Sequence, residues 1–363
     1  MVYFLHVRWP LFKSDAIFFY PGGVEMKASV YLGPEQVVLR DVDEPTLENG
    51  QVLIKVARAG LCGTDLHIYQ GHMDKRVQIP LVMGHEMCGE VVEVRADTPV
   101  KVGDRVVVEP TVWCNTCAAC RRGHRHICQN LDFLGIDSPG AFQAYWAVPA
   151  DRLHLVPDAL DDDAGALIEP LAVAVHDVRR AQVELGDRAV VIGGGPIGML
   201  VAMAARLDGA QVVISEVNPF RIEKAKSLGF EAVNPLETDL VDYVNDWTDG
   251  AGVDLVFEVS GHPAGAQVMT ELVRVRGKIA LVGVHPSPPA VDLHKFFWRE
   301  LSLVGCRVYE PVDFERAIRL AASGAVDVKA LVTDTLSLAD AGKGFEQMLS
   351  GGAVMKVLLD CQS

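Results

Sequence analysis

A six-residue glycine run limits the possible fold more than any other feature of this chain. Gly193-Gly194-Gly195-Pro196-Ile197-Gly198 follows the apolar run Ala189-Val190-Val191-Ile192 and leads into an apolar stretch ending near Leu207. A strand that turns at once into a helix accounts for this order. Gly193 permits the tight turn, Gly195 lets a pyrophosphate approach the backbone, and Gly198 lets helix and strand pack closely. Pro196 and Ile197 open the helix, whose free amides and positive end suit phosphate. A glycine turn with a purely structural role is the alternative. Against it, Glu216 closes the next apolar run, where a carboxylate can bind ribose hydroxyls.

The surrounding pattern alternates. From Arg188 the sequence predicts strands at Ala189–Ile192, Gln211–Ser215, Asp254–Glu258 and Lys278–Val282. Helices fall between, at Pro196–Leu207 and at Arg221–Leu228, which Gly229 ends. Such alternation implies an α/β fold, a doubly wound parallel sheet with helices on both faces. Upstream the pattern differs. Residues 26 to about 168 read as short β-branched runs bounded by Gly, Pro and Asp, an all-β half. A helix over Pro170–Ala181 connects the two. Past residue 308 the pattern changes again, to a helix over Asp313–Ser323 and a final strand, Lys356–Leu359. A chain of 363 residues suits two domains.

Net charge is −15 and the pI about 5.1, so the surface repels nucleic acid and anionic membranes. No apolar run approaches the ~20 residues that span a bilayer. Residues 1–25 hold only short apolar clusters without a cleavage site, so they are not a secretory signal. They read as an extension that is not native, with Met26 as the natural start.

Four of the eight cysteines crowd into Cys114-x2-Cys117-x2-Cys120-x7-Cys128. In a long chain this is metal binding, not a disulfide framework, and a reducing cytoplasm follows. Four thiolates can surround a structural zinc. An iron–sulfur cluster is the alternative, but it favours a shorter last gap followed by proline. A scattered set completes the chemistry: Cys62 in Gly60-Leu-Cys-Gly-Thr-Asp-Leu-His67, His85-Glu86 after Gly84, and Glu169 before Pro170. Thiolate, imidazole and carboxylate leave a fourth zinc position open for substrate. Singly, each has a plain reading: a small buried hydrophobe, a core histidine, a carboxylate at a helix N-terminus.

Together these residues resemble the zinc-containing medium-chain dehydrogenase/reductase family, and most of all its sorbitol, butanediol and threonine dehydrogenase branches. The likeness covers about residues 26–360 and includes the segment Glu169-Pro-Leu-Ala-Val-Ala-Val-His176. It implies a GroES-like β-rich catalytic domain over 26–170 and 309–363, with a Rossmann NAD-binding domain over 171–308. It implies two zincs per chain. Cys62 and His85 match the catalytic ligands, Glu86 a zinc-binding carboxylate of the polyol branch, and Glu169 one that binds zinc directly or through water. Asp65 would accept a hydrogen bond from His85. Thr64 and His67 match a proton relay, and Glu216 the residue that selects NAD. Arg221 would lie on the adenine side of the cofactor, and Arg307 loosely matches an arginine near cofactor and substrate. Arg307 and Glu109 are candidate polar wall residues. Arg95 departs from the family's usual glycine, which affects only a turn.

The resemblance implies hydride transfer from a secondary alcohol to NAD: a polyol, cyclic polyol or diol. Oxidation of an amino alcohol, as by L-threonine 3-dehydrogenase, is the alternative. A non-enzymatic nucleotide-binding relative could lose Cys62, His85 or Thr64 freely, and a zinc-free quinone reductase needs no cysteine lobe. A cytoplasmic homotetramer, or a homodimer, is expected.

Overall fold

Ala189, Val190, Val191 and Ile192 are all buried, and they alternate between two apolar clusters. A strand covered on both faces needs such a continuous apolar run. It is the centre of a six-stranded sheet in the computed structural model, which describes residues 25–363. In chain order the strands are Arg188–Ile192, Gln211–Ser215, Glu231–Val233, Val253–Glu258, Val273–Leu281 and Ser302–Gly305. All pair in parallel. Across the sheet they run third, second, first, fourth, fifth, sixth. The order reverses between Arg188–Ile192 and Val253–Glu258, and the carboxyl ends there open a crevice that suits a dinucleotide.

The other half is built on Gln51–Gly60. It pairs antiparallel with Glu86–Arg95, with Tyr145–Pro149 and with Lys356–Asp360. Lys356–Asp360 continues in parallel to Val332–Ser337. The end of the chain therefore returns to the sheet that its first hundred residues begin. A second small sheet places Glu25–Gly33 between Gln36–Asp43 and Leu81–Val82. Helix Ile168–Ala181 packs against both Pro196–Leu207 and Pro311–Ala322.

Several boundaries differ from the sequence reading. The first half is not all-β: Gly63–Tyr69, Ala118–Arg121 and Asp162–Ala166 are short helices. The first starts because the Asp65 carboxylate accepts the Cys62 backbone N–H at 2.9 Å, a local cap that competes with extension. The connecting helix begins at Ile168, not Pro170, since proline is tolerated in a first turn where its N–H has no partner. The helices Leu240–Thr248, Pro263–Leu272 and Leu293–Arg299 complete the alternation. The reading of residues 1–25 lies outside the described residues, except Glu25, which starts the first strand. Among the described residues no helix is long and apolar enough to cross a membrane.

Candidate active site

Strand Gln51–Gly60 ends two residues before Cys62, which stands at the N-terminus of helix Gly63–Tyr69. His85 and Glu86 lie where strand Glu86–Arg95 begins, alongside, with Gly60 opposite Glu86. The pairing brings the Cys62 sulfur, a His85 nitrogen and a Glu86 oxygen within 4.8 Å of one another. Gly84 makes this approach possible: its φ is +97°, and a Cβ there would meet the Phe142 ring at 2.3 Å. Asp65, fully buried, uses its second oxygen on His85, whose Nδ1 is 3.5 Å away. Among the described residues neither of these two atoms has a hydrogen-bond partner. Burial opposes charge on His85, but Asp65 and Cys62 outweigh it and hold the pKa well above its ordinary value.

Two residues that the sequence reading missed complete this floor. Lys356 is buried, donates to the Leu61 carbonyl at 2.9 Å and contacts Glu86. Burial opposes its charge, and Glu86 more than restores it. Tyr309, also buried, sits against Glu169. Glu169 is outside the set of three close donors. Burial lifts its pKa to about 7; His85 pulls it down and Glu86 pushes it up. Thr64 and His67 follow Cys62 on the same short helix. His67 is half-buried, and burial together with His72, 5.8 Å away ring to ring, lowers its pKa.

Glu109 corrects an expectation. It is not an open wall residue: it is buried and accepts from Thr111 at 3.0 Å, with His154 at 3.2 Å and Arg152 at 3.7 Å. Arg307 is exposed, and among the described residues it makes no hydrogen bond or ion pair. Val308 beside it has φ +48°, a strained value for a β-branched residue.

The four lobe cysteines also converge within 4.8 Å. A tetrahedron of ~2.3 Å zinc–sulfur bonds separates its sulfurs by roughly 3.8 Å. Cys117 and Cys128 are 3.8 Å apart, and Cys114 and Cys128 3.5 Å. Backbone N–H groups of Cys117, Cys120 and Asn130 point at sulfurs from 3.3 to 3.5 Å, as thiolates require. The Thr116 hydroxyl and neighbouring amides draw the Cys114 thiol down to about 5. His176, Glu310 and Asp313 converge likewise, but Arg179 already fills that site, reaching Asp313 at 2.7 and 2.8 Å and contacting Glu310. That cluster ties helix Ile168–Ala181 to helix Pro311–Ala322.

At the glycine loop, Glu216 caps the crevice. Its carboxylate accepts from Gly194, Val217 and Asn218 amides at 2.8, 2.7 and 2.9 Å. Arg221 lies 4.0 Å from that carboxylate and beside Gly195, so it faces the loop itself.

Comparison with known proteins agrees with this geometry. Residues 48–158 match the alcohol dehydrogenase GroES-like domain, and residues 196–323 the zinc-binding dehydrogenase domain. A 2-dehydro-3-deoxy-L-galactonate 5-dehydrogenase of Pseudoalteromonas atlantica is 46% identical, over 93% of this chain and 99% of its own. A sorbitol dehydrogenase of Halalkalibacterium halodurans is 36% identical, over 90% and 96%. The crystal structure of 2R,3R-butanediol dehydrogenase from Bacillus subtilis superposes with a TM-score of 0.84 at 33% identity, over 92% and 99%. The chain belongs to the zinc-containing medium-chain alcohol dehydrogenase family. It is therefore a dehydrogenase that uses zinc and a nicotinamide dinucleotide. Its residues fit both: two sets of converging soft and carboxylate donors, and a helix N-terminus at Gly195 that no side chain caps.

Proposed function

We propose that this enzyme oxidises a secondary alcohol flanked by further hydroxyls, in a polyol, a diol or a sugar acid, with NAD as acceptor. The observation that carries the reading is the donor set. Glu86 stands beside Cys62 and His85 where a second thiolate would otherwise complete the ligands, and Glu169 lies close by. Added carboxylates reduce the positive charge at the metal and offer acceptors to neighbouring hydroxyls. The likeness to dehydrogenases named for a deoxy sugar acid, sorbitol and butanediol supports the same class.

Cys62, His85 and Glu86 would hold the catalytic zinc, with Glu169 as a further carboxylate for it, directly or through water, and Asp65 would orient His85. Cys114, Cys117, Cys120 and Cys128 hold a structural zinc. Bound zinc supplies the Lewis acid that eases loss of the hydroxyl proton, and bound NAD supplies the hydride acceptor. Thr64 would take up that proton as it gives its own hydroxyl proton onward toward His67, which would release one to solvent. The lowered pKa of His67 keeps its ring neutral and ready to receive a proton. Gly193, Gly195, Pro196, Ile197 and Gly198 cradle the pyrophosphate. Glu216 binds the adenosine ribose and repels a 2′-phosphate, with Arg221 alongside. Arg307, unpaired and close in sequence to Tyr309, faces cofactor or substrate.

The catalytic domain comprises 26–170 and 309–363 and the cofactor domain 171–308. The enzyme works in the cytoplasm as a homotetramer or homodimer. A panel of sorbitol, xylitol, inositols, 2,3-butanediol, sugar acids, threonine, ethanol and 1-butanol, scored by kcat/KM for NADH formation, tests the reading. A polyhydroxy substrate should lead. A clear lead for threonine or for a primary alcohol would refute it.

A further inference from the structure

Glu258 is fully buried at the carboxyl end of strand Val253–Glu258, on the far side of the crevice from the glycine loop. Its carboxylate accepts the Ser260 amide at 3.1 Å, the Ser260 hydroxyl, and His285 Nε2 at 3.0 Å. Its backbone carbonyl accepts the amides of Val282 and Gly283 at 2.9 and 2.8 Å. Val259 donates to Ile192 at 3.0 Å, and a Cβ on Gly193 would meet Ser260 at 3.0 Å. Glu258 and the two residues after it therefore tie together the loops after three adjacent strands around the crevice.

His285 is the member of this group with unfinished bonding. An ionised carboxylate only accepts, so Nε2 must donate, and in the neutral ring Nδ1 is then an acceptor. The His285 side chain is 8% exposed, and among the described residues Nδ1 is buried with no hydrogen-bond partner. A buried acceptor left empty is costly, and no described residue offers it a donor. In a doubly wound fold the first three strands bind one mononucleotide and the last three the other. Glu216 follows the second strand and takes the adenosine half. His285 follows the fifth strand, Val273–Leu281.

We propose that His285 is a cofactor-contacting residue, its Nδ1 accepting a hydrogen bond from the nicotinamide nucleoside half of the bound dinucleotide. The donor is the carboxamide amide or a hydroxyl of the adjoining ribose. The inference rests on the reading of the crevice as a nicotinamide dinucleotide site.

Two substitutions separate this contact from the grip on Glu258. His285→Gln keeps a donor at the ε position but removes the δ acceptor. His285→Asn keeps an acceptor near the δ position. Affinities for NADH, ADP-ribose and ADP are measured by fluorescence and calorimetric titration, with Tm recorded for each free enzyme. His285→Gln should weaken NADH roughly five- to tenfold relative to ADP, at nearly unchanged Tm. His285→Asn should restore the NADH-to-ADP ratio even where its Tm falls. Loss with NADH alone assigns the donor to the carboxamide, and loss with NADH and ADP-ribose assigns it to the ribose. An unchanged NADH-to-ADP ratio in His285→Gln, or equal loss of NADH and ADP, would overturn the contact while leaving the crevice reading intact. Native enzyme that bound no NADH would overturn both.

Discussion

Alanine at Gly198 and alanine at Gly195 should fail in different ways, although the two lie in one motif. A Cβ on Gly198 would stand 1.8 Å from the Gly193 carbonyl oxygen and 3.0 Å from its carbon. Both neighbours are backbone in the strand-to-helix turn, so helix Pro196–Leu207 must move away by more than about 1 Å. That is severe overpacking between two buried elements, costing about 3 kcal/mol or more. For a unit of this size the Tm should fall by roughly 6–12 °C. A Cβ on Gly195 would meet nothing closer than Arg221 Nη1, at 3.6 Å, which is ordinary contact. Gly195 also has φ −70°, open to any residue. The free Gly195→Ala enzyme should therefore melt within about 1 °C of the native one, since a surface change without a clash stays within ~0.5 kcal/mol. Its added methyl stands where the pyrophosphate must approach, so the Kd for NADH should rise tenfold or more, by about 1.4 kcal/mol at least. Thermal melting and NADH fluorescence titration of both variants decide the matter. Gly195→Ala with a large loss of Tm, or with native NADH affinity, would refute the assignment of the Gly195 approach to cofactor. A native Tm in Gly198→Ala would refute the packing argument.

Cys62→Ser should abolish turnover and leave the Tm of the lobe intact, whereas Cys117→Ser should lower stability and expression, because a structural zinc contributes folding energy directly. Elemental analysis should find two zincs per chain in the native enzyme, and full activity with one would count against the two-site assignment. Glu216→Gln would remove the charge proposed to repel a 2′-phosphate and free Arg221, 4.0 Å away, to attract one. The NAD-to-NADP ratio of kcat/KM should fall by about tenfold, and an unchanged ratio would assign selection elsewhere. Burial and the neighbouring His176 push the His126 pKa down to about 4. The unfolded chain, with a histidine pKa near 6.5, takes up a proton that the native chain refuses. The His126 contribution is thus fully present above pH ~6.5 and declines as pH falls toward 4. Urea midpoints at pH 5 and 7 should differ less in His126→Gln than in the native enzyme; equal differences would exclude His126 as the cause.

The parts legible in the sequence were those whose chemistry is local. The glycine loop, the lobe cysteines and the carboxylate after the second strand each act through spacing within a few residues. Apolar runs likewise marked the central strands, because a strand buried on both faces tolerates little else. Lys356 was not legible: as a sequence feature it is one lysine before an apolar strand. Only pairing with Gln51–Gly60, 295 positions from its partner Leu61, makes it a buried cation beside Glu86. Glu258 and His285 escaped notice for the same reason, since their meaning lies in loops that adjacent strands bring together. Helix Gly63–Tyr69 was lost among β-branched neighbours because its start depends on one side-chain cap from Asp65. Glu109 was misjudged because a carboxylate that looks available in sequence is consumed by Thr111, His154 and Arg152 in the fold.

The return of Lys356–Asp360 to strand Gln51–Gly60 sets an order of assembly during synthesis. A ribosome delivers the whole run from Arg188 to Gly305 before it delivers that strand. The parallel sheet contains all its own strands, although one of its faces shares a core with residues as late as Leu358. Gln51–Gly60 must wait for its last neighbour, and Glu86 waits with it for its buried cation. The buried cation beside Glu86 is thus among the last parts of the site that synthesis delivers.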